Sequence, residues 1–69
     1  MATGTVKFFD TYKGFGFISP DKGGSDLYVD IGSVKHSGLS TLTNKQKVSF
    51  KANADSLGEG NRAVNLRLL

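Results

Sequence analysis

The 69-residue sequence has no cysteine, no tryptophan, one proline and a single histidine, His36. Without cysteine there is no disulfide framework, and one histidine cannot build the usual zinc site of Cys and His ligands. No cofactor or metal is called for. The fold must therefore rest on buried apolar surface, and a chain this short buries only about 60% of what its extended form exposes. That leaves room for one compact core and little for an enclosed catalytic cavity. No run approaches the roughly 20 apolar residues of a membrane span. The opening Met1-Ala2-Thr3-Gly4-Thr5 lacks the basic and apolar regions of a secretory signal, so the expectation is a soluble cytoplasmic protein without membrane association. Nor is there a large excess of charge. Nine Lys and Arg stand against six Asp and Glu, a net +3 that biases the surface mildly toward polyanions.

What the chain does have is nine glycines and short runs of alternating polar and apolar residues. This pattern favours strands joined by tight turns, and no window carries a 3.6-residue apolar stripe. Five strands are expected. Thr5 to Asp10 carries Val6, Phe8 and Phe9, and Phe15 to Ser19 follows through Thr11-Tyr12-Lys13-Gly14. Pro20-Asp21-Lys22-Gly23-Gly24-Ser25 supplies turn chemistry before Asp26 to Ile31. These three should form an antiparallel meander. Gly32 to Lys45 reads as a long connection with one helical turn near Ser33-Val34-Lys35. Lys47 to Asn53 would put Val48, Phe50 and Ala52 on one face and Ser49, Lys51 and Asn53 on the other. A loop at Asp55 to Gly60 leads to Arg62 to Leu68, with Val64, Leu66 and Leu68 inward. With no repeats and no low-complexity tract, residues 1–69 read as one domain, an all-β five-stranded antiparallel barrel of the OB type.

The informative segment is Lys13-Gly14-Phe15-Gly16-Phe17-Ile18. Period-two alternation puts Phe15 and Phe17 on the face opposite Ile18. Ile18 belongs inside, so both rings look outward. In the next strand Leu27 and Val29 point in, which turns Tyr28 and Asp30 out. Phe8 joins this face if the first strand bulges, since strict alternation would pair it with Val6. A single strand phenylalanine is more often core than not, but here the inner face is already claimed. Rings so exposed need a cover. Nucleobases suit, because every base has a π-face and each stack contributes about 1–3 kcal/mol. Lys7 and Lys13 flank the rings and can meet phosphates.

These residues resemble the bacterial cold-shock protein family, the cold-shock domain version of the OB-fold. Lys13 to Ile18 matches the family's first ribonucleoprotein motif. Leu27-Tyr28-Val29-Asp30-Ile31 sits where its second motif, typically Val-Phe-Val-His-Phe, would be. Gly4-Thr5-Val6-Lys7-Phe8-Phe9-Asp10 resembles the usual Gly-x-Val-Lys-Trp-Phe-Asn. Gln46 to Phe50 and Ala63 to Leu66 are similar to the fourth and fifth strands. The resemblance implies binding of single-stranded RNA and DNA, RNA-chaperone or antiterminator roles, and no catalysis. It assigns binding to Lys7, Phe8, Phe9, Lys13, Phe15, Phe17 and Tyr28. The sequence departs from the family at Phe8, Asp10, Asp30, Ile31 and Leu39. Asp30 sets a carboxylate beside the rings, where it would repel phosphate or accept from a base amino group such as cytosine N4.

Those departures frame an alternative, a cold-shock fold turned protein-interaction module with weakened nucleic-acid binding. An RNA-recognition motif would need helices behind its sheet, and no amphipathic helix is visible. An enzyme reading fails because His36 is a lone loop histidine without an orienting acid. Arg62 and Arg67 stay undecided between a basic track and simple solubility. A monomer is the default expectation.

Overall fold

The computed structural model describes residues 2–54 and 61–69. It contains β1 (Ala2–Asp10), β2 (Phe15–Pro20), β3 (Leu27–Asp30), α1 (Ile31–His36), β4 (Lys47–Ala54) and β5 (Asn61–Leu68). The loop expected at Asp55 to Gly60 lies outside the described residues. The first three strands pair as an antiparallel meander, with Val6 opposite Ile18 and Ile18 opposite Leu27. All three of these side chains are buried in one core with Val29, Val34, Leu42, Val48, Phe50, Ala63 and Leu66.

The strands close into a barrel in the order β1-β2-β3-β5-β4. Every neighbouring pair is antiparallel except β3 and β5, which run parallel. The expectation of a purely antiparallel barrel is corrected here, and the reason is parity. Directions cannot alternate all the way round a ring of five strands, so one pair must run the same way.

Two bulges shape the ring. In β1 the register slips between Val6 and Phe8, so that Lys7 is an extra residue against β2. An extra residue in one strand bends it and reverses the facing of everything beyond. The first half of β1 pairs with β4, from Ala2 opposite Phe50 to Thr5 opposite Lys47. Beyond it, Val6 accepts from the Lys45 N–H at 2.7 Å and donates to the Gln46 carbonyl at 2.8 Å.

The second bulge lies between β4 and β5, where Asn65 takes a left-handed φ of 52°. It breaks the expected inward set of Val64, Leu66 and Leu68. Leu66 is buried as expected, but Ala63 takes the place of Val64 in the core and Leu68 is half exposed. The backbone N–H of Leu66 donates to the Ser37 hydroxyl at 2.9 Å, so the interrupted ladder leaves it satisfied. On β4, Val48 and Phe50 are buried as expected, but Ser49 is buried too and Ala52 is exposed. Ser49 is flanked by Thr3 on β1 and Arg67 on β5, whereas Ala52 lies past the last residue that β1 covers.

The helical turn expected near Ser33 is the six-residue α1, whose Val34 is fully buried. It starts at Ile31 because the Asp30 carboxylate caps it, accepting from the Ser33 N–H at 2.7 Å. The third strand accordingly stops before Ile31, one residue earlier than its alternation suggests.

Past the end of β2, Asp21 accepts from the Lys47 ammonium at 2.6 Å and from the Thr3 hydroxyl at 2.8 Å, tying three strands at one corner. The Lys47 hydrogen bond, helped by that of Thr3, holds the Asp21 carboxyl below its ordinary 3.8. A carboxyl lowered in the fold favours folding above its ordinary value and gives up that contribution as pH falls through the lowered one. In an NMR titration, Lys47→Ala should move the Asp21 midpoint up toward the ordinary value. An unmoved midpoint would mean that the pair is not formed in solution.

A side chain at Gly16 has no room. An added Cβ would strike the Phe8 carbonyl oxygen and lie 2.8 Å from the Phe9 Cα, both backbone atoms. Gly16→Ala should lower stability by about 1–3 kcal/mol, the usual cost of overpacking, read as an earlier urea midpoint.

Candidate nucleic-acid interface

The facing of the site follows from the strand register. Phe8 on β1 stands opposite Phe17 on β2, and Phe17 stands opposite Tyr28 on β3. This row faces outward. The next row, Phe9 opposite Gly16 opposite Val29, faces inward. Beyond it, Asp10, Phe15 and Asp30 form a second outward row. Phe8 is in the outward set because of the Lys7 bulge, which lets Val6 stay buried two positions earlier.

The four outward rings touch one another. Phe8 lies 5.7 Å from Phe17 and 5.9 Å from Phe15, centroid to centroid. Tyr28 lies 6.0 Å from both Phe15 and Phe17, and is nearly parallel to Phe15 at 14°. Such spacings are ordinary for aromatic pairs, so the rings stiffen each other into one surface. Phe8 is 37% exposed, and the other three are partly exposed. A patch built this way combines apolar area with low rotamer freedom, which is what a stacking ligand needs.

Phe9 is not part of that surface. It is half-buried and packs against the core beside Gly16, whose lack of a side chain makes space for its ring. Lys13 is exposed in the turn after β1. Lys7 is mostly exposed, and its ammonium pairs with Asp26 at 3.0 Å. Both residues of that surface pair remain in water, where such pairs contribute little and are readily exchanged for another anion. Tyr12, in the same turn as Lys13, is fully exposed. Nothing in the strand alternation singles it out.

The acidic departures have local work. The Asp10 carboxylate accepts from the Lys13 N–H at 3.0 Å, a capping bond across the turn that Asp and Asn make equally well. The same turn needs a left-handed residue, supplied by Gly14 at φ 77°. The Gly14 carbonyl then accepts from the Ile31 N–H at 2.9 Å, linking the turn to the start of α1. Asp30 caps α1 with Oδ1, while Oδ2 accepts from Arg62 Nη1 at 3.1 Å. Ile31 and Leu39 are half-buried against the core rather than displayed beside the rings. The Arg62 guanidinium carbon lies 4.9 Å from the Tyr28 ring centre. No cluster of potential metal ligands occurs among the described residues.

A closed five-stranded barrel with a short helix between its third and fourth strands, and exposed rings on the first three, is an OB-type barrel. A profile of the 'Cold-shock' DNA-binding domain matches residues 2–69, and the chain belongs to that family. Its members bind nucleic acid and are not enzymes. The "Probable cold shock protein y4cH" of Sinorhizobium fredii is 46% identical over 67 residues, covering 97% of both chains. The cold shock protein CspA of Rhizobium meliloti is 42% identical over 67 residues, again covering 97% of both. A cold shock-like protein CspA of Stigmatella aurantiaca is 43% identical, covering 97% of this chain and 96% of its own.

The double duty of Asp30 makes a stability prediction. Asp30→Ala removes both the helix cap and the ion pair and should cost about 1–2 kcal/mol, whereas Asp30→Asn keeps a good cap and should cost less than half of that. Thermal unfolding of the two variants measures the difference. Equal losses would mean that capping contributes nothing.

Proposed function

We propose that this protein binds single-stranded RNA and DNA by stacking unpaired bases on Phe8, Phe15, Phe17 and Tyr28. One observation carries the reading: three rings from three adjacent strands stand in a single outward register row, which Phe8 joins through a bulge that keeps Val6 in the core. Lys7 and Lys13 meet phosphates at the border of the rings. Phe9 supports the platform from beneath, and Asp30 holds its edge. Residues 1–69 act as one domain, as a monomer, in the cytoplasm.

The mechanism needs no ATP and no metal. Paired bases are already stacked and cannot offer their faces, so the protein favours the open form of a weak hairpin. A ligand that binds one state alone shifts the balance by RT ln(1 + [L]/Kd), which melts marginal structure as protein concentration rises. An RNA chaperone or transcription antiterminator would work in this way. The rival reading, a protein-interaction module, rests on Asp10, Asp30, Ile31 and Leu39. Since both carboxylates are occupied in shaping a turn and capping a helix, they give it little support.

Phe15→Ala and Phe17→Ala should each weaken binding of a pyrimidine-rich single strand by about 1–3 kcal/mol while the fold survives. Titration of the oligonucleotide, followed by fluorescence anisotropy, reads the loss. Variants that bound like the parent would rule out stacking. If Lys7 and Lys13 each neutralise one phosphate, log K should fall against log salt with a slope of roughly −1.4, and Lys7→Ala should halve that slope.

A further inference from the structure

The row that carries Phe8, Phe17 and Tyr28 continues past the last ring. Arg62 on β5 is next in register, paired with Tyr28 across the parallel seam of the barrel. In strand order Tyr28 therefore lies between Phe15 and Phe17 on one side and Arg62 on the other. Its ring is nearly parallel to Phe15, and the guanidinium carbon of Arg62 is 4.9 Å from its centre. The planar groups thus run across four neighbouring strands without a break.

A guanidinium is flat, weakly hydrated and stacks on aromatic faces, bases included. A long side chain usually loses much rotamer freedom when a ligand orders it. Here that ordering is already in place. Arg62 Nη1 donates to Asp30 Oδ2 at 3.1 Å, and Asp30 is itself fixed by the Ser33 N–H at 2.7 Å. The carboxylate also offsets much of the positive charge, so the group offers its plane more than its field. Three residues are needed for this arrangement: Asp30 and Ser33 at the start of α1, and Arg62, 32 positions beyond Asp30.

We infer that Arg62 is a further stacking position of the interface, taking the unpaired base next to the one on Tyr28. The inference rests on the base-stacking reading above. The bound strand would then cross the whole row, from β1 to β5, and occupy one nucleotide more than the rings alone can hold.

The test compares the parent, Arg62→Ala, Arg62→Lys and Phe17→Ala on oligothymidylates of increasing length. Arg62→Lys keeps the charge and the possibility of the Asp30 ion pair, so the fold is retained while the plane is lost. Affinity of the parent should stop rising one nucleotide later than that of Arg62→Ala. On the longest strand both Arg62 variants should bind about tenfold more weakly, within the range for one lost stack. Arg62→Lys binding like the parent would show that charge alone acts there, and an unchanged length plateau would remove the extra position. If Phe17→Ala weakens binding and the Arg62 variants do not, this inference alone fails. If none of them weakens binding, the stacking reading fails with it.

Discussion

One surplus residue in β1 governs the rest of the structure. A strand that alternated strictly from Val6 would carry Phe8 into the core, where Ile18, Phe50 and Val48 already fill the space. The slip at Lys7 changes the phase, so the same strand closes the core with Val6 and exposes Phe8 two positions later. The bend also frees the outer half of β1 from β4, and the Phe9 N–H donates instead to the Asn44 side chain at 3.2 Å. Core and platform are thus two readings of one strand, separated by a single irregularity.

The acidic residues near the rings follow a similar economy. A carboxylate beside a surface meant for polyanions is unfavourable in isolation. Asp10 and Asp30 are not isolated, since backbone N–H groups and a guanidinium occupy their oxygens. A group with its hydrogen bonds already made is a weaker competitor for a ligand, and its charge is felt over a shorter range when a cation is in contact.

Much of this was legible in the residues, and the limits have physical causes. Ile18, Leu27 and Val29 were enough to turn Phe15, Phe17 and Tyr28 outward, because alternation within a short regular strand is reliable. The need for an irregularity at Phe8 could be stated, since Val6 and Phe8 cannot share a face and both serve. The fifth strand could be placed, but its facing could be read only at Leu66. Its phase depends on one left-handed residue, Asn65, and on a hydroxyl from Ser37, neither of which leaves a mark in the pattern. The same holds for Asp30, whose partner Arg62 lies 32 residues away. Phe9, grouped with the binding residues by family resemblance, sits against the core because its row is the inward one. The parallel seam needed no structure at all. Counting five strands in a closed ring would have required it.

Among the described residues, a ring of strands that closes on itself leaves little edge to lend to a guest. Most main-chain groups that might have gripped a partner by adding a strand to the sheet are spent on their neighbours. On the face of the rings recognition falls chiefly to side chains, and the rings lie on the outside of the barrel. Preference could therefore drift over evolutionary time by exchanging a few surface residues, while the barrel beneath kept its shape.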